Sequence, residues 1–176
     1  MKNKKIVVVA ILTILVAILV GAFFLYRVYP KTLEESLPAR MANIPLAQTI
    51  SGEKAMEMTK RSHRGVIAGV TDMAVGYYAR DLSVWLSRYP DKEAAKSETL
   101  RMARAMPRFG RGFENLSRLK LGGETAYRTM PGGKPQYFWV KNNVMVYIIP
   151  DDLSQEEVDK VARQINLKIF FYSFVP

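Results

Sequence analysis

Cysteine is absent from this chain, and histidine occurs once, as His63. Without thiols there are no disulfides, no thiolate-bound metal, no c-type haem attachment and no lipid linked through cysteine. A single imidazole cannot build a histidine-rich metal site within one chain. Acidic residues are the minority, 16 Asp and Glu against 26 Lys and Arg. Low-complexity tracts, acidic tails and fixed-period repeats are missing as well. The catalytic inventory is correspondingly thin. His63 follows Ser62 near an expected helix end, but no Ser-x-x-Lys, nucleophile elbow or histidine metal motif accompanies the pair. A lone histidine there reads as a capping or dipole partner. Gly110-Arg111-Gly112 lacks the strand-to-helix setting of a phosphate loop. Asp151-Asp152 reads as turn and dipole chemistry, and Asn115-Leu116-Ser117 matches a glycosylation sequon that is common by chance. No catalytic residue, cofactor or metal is expected, and an unidentified hydrolase is the weakest of the functional readings.

What the chain does have begins at its start. Residues 6–26 carry no charge, and Thr13 alone interrupts them with a polar side chain. As a helix this run spans about 31 Å, close to the roughly 30 Å hydrocarbon core of a bilayer. Lys2, Lys4 and Lys5 lie before it, Tyr26 and Tyr29 near its other end. This is the pattern of a transmembrane helix with a basic cytoplasmic flank. Val20-Gly21-Ala22 resembles a processing site, but the apolar run continues through Phe23-Phe24-Leu25-Tyr26, longer than the h-region of a cleaved signal. An uncleaved anchor is therefore expected, single-pass in the cell membrane, with the N-terminus cytoplasmic and the rest extracytoplasmic.

Charge sharpens the picture of that remainder. Four of the basic residues (Lys2, Lys4, Lys5, Arg27) flank the anchor, which leaves 22 against all 16 acids. Residues 96–120 alone hold seven basic residues against Glu98 and Glu114, so nearly the whole excess sits in one stretch. Elsewhere the chain is close to balanced.

Four segments are expected: residues 1–5, short and basic; 6–26, the transmembrane helix; 27–50, a proline-containing stalk; and 51–176, one α+β domain. Pro30, Pro38 and Pro45 forbid a long helix in the stalk, although Thr32 and Glu35 suit one short capped turn. Ser51-Gly52 starts a helix, GEKAMEMTKRSH, whose face is Ala55, Met56, Met58, Thr59 and Ser62, with Gly65 as its stop. Residues 65–90 read as strands joined at Arg80-Asp81. Leu82, Val84 and Leu86 alternate with Ser83 and Ser87. Pro90-Asp91 opens a second helix with Ala95, Thr99, Met102 and Met106 on its inner face, closed by Pro107. Ser97, Arg101, Arg104 and Arg108 fall on another face. Then come LSRLKL, ETAYRTM, QYFWVK and VMVYII, separated by residues that tolerate positive φ, of which Asn142-Asn143 is a two-residue turn of the primed type. Four consecutive strands with no crossover argue an antiparallel or mixed sheet, with about three helices in the domain. Ser154 and Glu157 form a capping box for the last helix, with Leu153 stapled to Val158 and Val158, Val161, Ala162 and Ile165 as its buried stripe.

Two surfaces look unfinished. With Asn142-Asn143 as the turn, Tyr137, Trp139, Val146 and Ile148 share one face of a hairpin and Phe138, Val140, Met145 and Tyr147 the other. Both faces are apolar, and each aromatic left in water forgoes burial of ~150–250 Å² at ~25 cal/mol per Å². Either helices and stalk cover the hairpin, or one face (Tyr137, Trp139, Val146, Ile148) meets a partner. The terminal FFYSFV, with Phe170, Phe171, Tyr172 and Phe174, reads as a closing strand or as a segment that docks elsewhere. The second surface is basic: Arg101, Arg104, Arg108, Arg111 and Lys120. The plainest account of it is a solvated helix face. Its ligands, in order of expectation, are anionic lipid headgroups, a cell-wall polymer or an acidic partner, with nucleic acid behind them. The first functional expectation is a non-enzymatic membrane protein that interacts with another membrane or envelope protein, or with itself, as an accessory subunit of a complex. The second is a tethered binding module for an anionic ligand.

Overall fold

Alternation of apolar and polar side chains makes strands here, and each strand finds its neighbour through a short turn. A computed structural model of the protein describes residues 11, 13–21, 30–62 and 68–173. From Arg40 onward they form β1 (Arg40–Met41), β2 (Ile44–Ser51), α1 (Gly52–Ser62), β3 (Asp72–Tyr78), β4 (Leu82–Arg88), α2 (Lys92–Ala105), β5 (Ser117–Leu121), β6 (Glu124–Thr129), β7 (Gln136–Lys141), β8 (Val144–Pro150) and α3 (Gln155–Tyr172). The eight strands make one sheet in the order β1-β2-β3-β4-β8-β7-β6-β5, and every pairing is antiparallel. The fold is α+β.

The hairpin register is the one that its turn and alternation predict. Val140 faces Met145, Trp139 faces Val146, Phe138 faces Tyr147 and Tyr137 faces Ile148. Of the turn residues only Asn142 takes a positive φ, 55°. Arg80 and Asp81 both do so, at 57° and 51°. The Arg80 side chain is held there by the Asp152 carbonyl and the Glu157 carboxylate.

Helices cover both faces of the sheet. On one face α3 packs Val158, Val161, Ala162, Ile165 and Ile169 onto Leu82, Val84 and Leu86 of β4, Val144, Val146 and Ile148 of β8, and Tyr137 and Trp139 of β7. The capping box is complete: the Ser154 hydroxyl accepts from the Glu157 N–H while the Glu157 carboxylate accepts from the Ser154 N–H. Those bonds and Arg80 hold the Glu157 carboxyl down at about 2. At the other end of α3 the buried Asn166 receives the Trp139 indole N–H at 2.8 Å and donates to the Gly122 carbonyl at 3.0 Å. Gly122 has φ 57°, and a Cβ there would stand 2.9 Å from the Ala162 backbone. On the other face α1 lies over Met73 and Val75, and α2 over Phe138.

Three expectations are corrected. Residues 30–50 are no stalk. Leu33, Leu37, Met41 and Ile44 are buried in the main core, and Glu34 pins the segment by accepting from Thr49 at 2.6 Å and Ser51 at 2.5 Å. The prolines prevent a helix, but Pro45 sits in β2 opposite the two-residue strand β1, where a missing N–H costs little. Second, Phe170, Phe171 and Tyr172 do not form a closing strand; they are the last turn of α3. The apolar spacing Ile165, Ile169, Tyr172 continues the helical stripe and overrides the β-preference of the aromatics. Third, Tyr137, Trp139, Val146 and Ile148 are at most 2% exposed, so that hairpin face is core and not a partner surface. Of the 6–26 run, residues 13–21 are helical and exposed; among the described residues no helix is long and apolar enough to cross a membrane. His63, Gly65 and Phe174 lie outside the described residues.

Candidate functional site

With the hairpin aromatics inside, the basic stretch is the specialised surface that remains. Its frame is α2. Asp91 caps the helix by accepting from the Ala94 N–H at 2.8 Å, and Ala95, Thr99 and Ala103 turn inward. At 100° per residue this puts Ser97, Arg101 and Arg104 on the opposite side, and both arginines are solvent-exposed. Pro107 then tightens the chain into a 3-10 turn, Met106–Phe109, which carries Arg108.

The loop that follows is fixed, not slack. Gly110, Arg111 and Gly112 have φ of 62°, 56° and 96°. The Gly112 carbonyl accepts from the Met130 N–H at 3.2 Å, and the Arg111 carbonyl accepts from the Gly132 N–H at 3.1 Å. A Cβ on Gly112 would lie 2.0 Å from the Met130 carbonyl oxygen. Only glycine allows that approach. Phe113 and Leu116 anchor the loop from below, packed on Phe138, Ala103 and Met106. Arg111 is thereby held at the tip of a braced turn.

β5 extends the surface. Arg118 and Lys120, two residues apart, stand on the sheet face that carries α2. Arg118 lies over the Tyr127 ring at 5.8 Å, Tyr127 stacks on Phe138 at 5.1 Å, and Phe138 stacks on Tyr147 at 5.9 Å. These are successive cross-strand partners in a row that continues through Trp85 and Val75 to Ile50. Burial pushes the Tyr147 phenol upward, and its hydroxyl is bonded to Gln136, so it is a structural group.

The acids near this surface are already engaged. Glu98 takes the Arg101 guanidinium, with Nε at 2.7 Å, and raises its pKa. Glu114 accepts from the Gly112 N–H at 2.9 Å, and Glu124 is paired with Lys141 at 2.7 Å. Among the described residues Arg104, Arg108, Arg111 and Arg118 make no ion pair, and Lys120 has only a hydrogen bond to the Thr125 hydroxyl at 3.1 Å. The five predicted residues are thus divided. Arg101 is neutralised, Arg104, Arg108 and Arg111 follow one another at the C-terminal end of α2, and Lys120 stands on the edge strand. Arg118 belongs with them. Its signal was present in the strand period, since residues i and i+2 share a face.

Position along the fold matters as much as charge. The α2–β5 connection bonds to the β6–β7 connection, at the end of the sheet where β4 begins and β8 finishes. The chain enters the domain at the opposite end: residues 34–39 run from the level of Ser51, bonded to Glu34, to that of Leu46, whose N–H reaches the Ala39 carbonyl. α2 spans about 21 Å between the two ends. The arginines without an ion pair among the described residues therefore crown the end opposite to the one where residues 34–39 begin.

The entry end has its own depression, of about 370 Å³, beside Arg88, Lys92, Asn142 and Tyr172. Its polar groups, Lys92 apart, already have partners. Arg88 donates to the Tyr172 hydroxyl at 2.6 Å and faces Asp72 at 3.9 Å. Asn142 donates to Ser173, and Asn143 to the Tyr89 carbonyl. At the far end of the sheet Asp151, in the turn before α3, is paired with Lys134. Among the described residues no group of three or more His, Asp or Glu side chains is placed to hold a metal ion. Searches of family models, curated proteins and solved structures found no match to this chain.

Proposed function

We propose that this protein is a non-enzymatic, single-pass membrane-tethered module whose extracytoplasmic α+β domain binds an anionic polymer through the basic end remote from the tether. The tether is the uncharged run of residues 6–26 with Lys2, Lys4 and Lys5 before it. The observation that carries the ligand is the set of exposed arginines at positions 104, 108, 111 and 118, left without acidic partners on a braced scaffold. Elsewhere on the same helix the basic residues Lys96 and Arg101 do have acidic partners, Glu93 and Glu98.

Location selects among the anionic ligands. Headgroups of the bilayer that holds the chain lie at the entry end, so the basic end faces what the envelope presents further out. The alternative, an accessory subunit of an envelope complex, rests on the hairpin face, which the fold buries, and on the terminal aromatics, of which Phe170 stays exposed. Strand addition has little to offer it: one sheet edge is the two-residue β1, and the other, β5, bears Arg118 and Lys120.

The test is binding of the full chain, reconstituted in vesicles, to polyphosphate as a model polyanion. Replacing Arg104, Arg108 and Arg111 by Gln should weaken binding by roughly a hundredfold at low salt, and raising salt should weaken the parent protein similarly. Polyphosphate binding that survives the triple replacement overturns the ligand site. Protease protection in intact cells tests sidedness separately.

A further inference from the structure

Resting on the tether just proposed, we infer that the entry end of the domain docks on its own bilayer through Leu167 and Phe170 of α3. Leu167 is 56% exposed and Phe170 44%, the most exposed large apolar side chains of that helix. They stand about one turn apart on the side of α3 opposite its buried stripe. Phe170 packs edge-on against Phe171 at 5.7 Å, which enlarges the apolar tip. Exposed Arg163, one turn before them on the same side of the helix and paired with Asp159, borders this patch.

The length of chain outside the domain identifies the occupant. The uncharged run stops at Tyr26, and Pro30 is already buried in the domain. Four residue steps reach at most about 14 Å, while the headgroup zone of one leaflet is roughly 5–7 Å deep. The entry end cannot leave the neighbourhood of the membrane. α3 finishes at that same end, where Tyr172 meets Arg88 at 2.6 Å and Ser173 meets Asn142 at 2.7 Å. The tether thus presents Leu167 and Phe170 to lipid at high effective concentration, so two side chains suffice where a free domain would need a larger patch. Docking here turns the basic end outward, which ties the two surfaces to one orientation.

The absence of cysteine makes the test direct. Phe170→Cys, and separately Lys134→Cys at the far end, are labelled with a fluorophore in the full chain. The chain is then reconstituted in phosphatidylcholine–phosphatidylglycerol vesicles containing lipid with a headgroup-level nitroxide quencher. The label at position 170 should be quenched about threefold more than the label at 134, and adding Leu167→Ser should erase most of that difference. Equal quenching at the two positions overturns the docking while leaving the tether intact, provided that the chain resists carbonate extraction. A chain released by carbonate overturns the tether and the docking together. Disulfide-linked dimers through position 170, in place of quenching, assign the surface to a second copy and overturn the lipid contact.

Discussion

The β7–β8 hairpin and the α2–β5 connection pack against each other through Phe138 and Phe113, yet they solve opposite problems. The hairpin carries aromatics on both faces and hides almost all of them, one face beneath α3 and the other beneath α2. The connection uses Phe113 and Leu116 to hold on, and leaves its arginines in water. The difference is one of chemistry. An apolar side chain is satisfied by any apolar surface of the right shape, so the chain can cover its own. A guanidinium is satisfied by water as well as by a carboxylate, so it can stay at the surface, and here the nearby carboxylates are bonded to Arg101, the Gly112 N–H and Lys141. Self-contained burial serves stability, while the exposed charge is where the proposed polyanion would bind.

Substitutions that strike the two regions should separate these roles. Trp139→Ala removes a fully buried indole and leaves Asn166 without its donor, and should cost about 3–5 kcal/mol in urea unfolding. Gly112→Ala places a methyl against the Met130 carbonyl and should cost about 1–3 kcal/mol, with weaker polyphosphate binding because Arg111 moves. A loss of stability without any change in binding would show that the braced turn does not serve the basic surface. Ser154→Ala breaks the capping box of α3 and should cost about 1 kcal/mol, with polyphosphate binding untouched. The same box predicts a pH dependence. Glu157 titrates at about 2 in the folded protein, below its ordinary 4.5, so its contribution is complete above pH 4.5 and fades as pH falls toward 2. Acid unfolding of Ser154→Ala should show a smaller loss over that window. Least of all, Arg104→Gln with Arg108→Gln should shift stability by no more than about 0.5 kcal/mol while reducing polyphosphate binding. If unfolding and binding respond in parallel, the contrast between the two regions fails.

Sequence reading went furthest where local rules decide. The hairpin register follows from a two-residue turn and strict alternation, and α3 from Ser154, Glu157 and the stripe from Val158 to Ile165. It went wrong where the deciding contact is distant. Nothing local to Leu33 or Leu37 says that they are core; α3, more than a hundred residues later, makes them so. The aromatic tail misled because Phe and Tyr favour strands, although the spacing to Ile169 and Tyr172 already spelled a helix. The basic surface was legible as helical spacing in Arg101, Arg104 and Arg108. Its rigidity was not, because the bonds that brace Gly112 come from Met130 and Gly132.

The seam between β4 and β8 has a consequence during biosynthesis. These strands align over seven residue pairs, from Leu82 with Pro150 to Arg88 with Val144. β4 is complete long before β8 exists. At ribosomal speeds the roughly 60 intervening residues take about 3–12 s to appear. For that interval the nascent chain shows an open, apolar strand margin, which a chaperone or a neighbouring nascent chain can engage before β8 closes it.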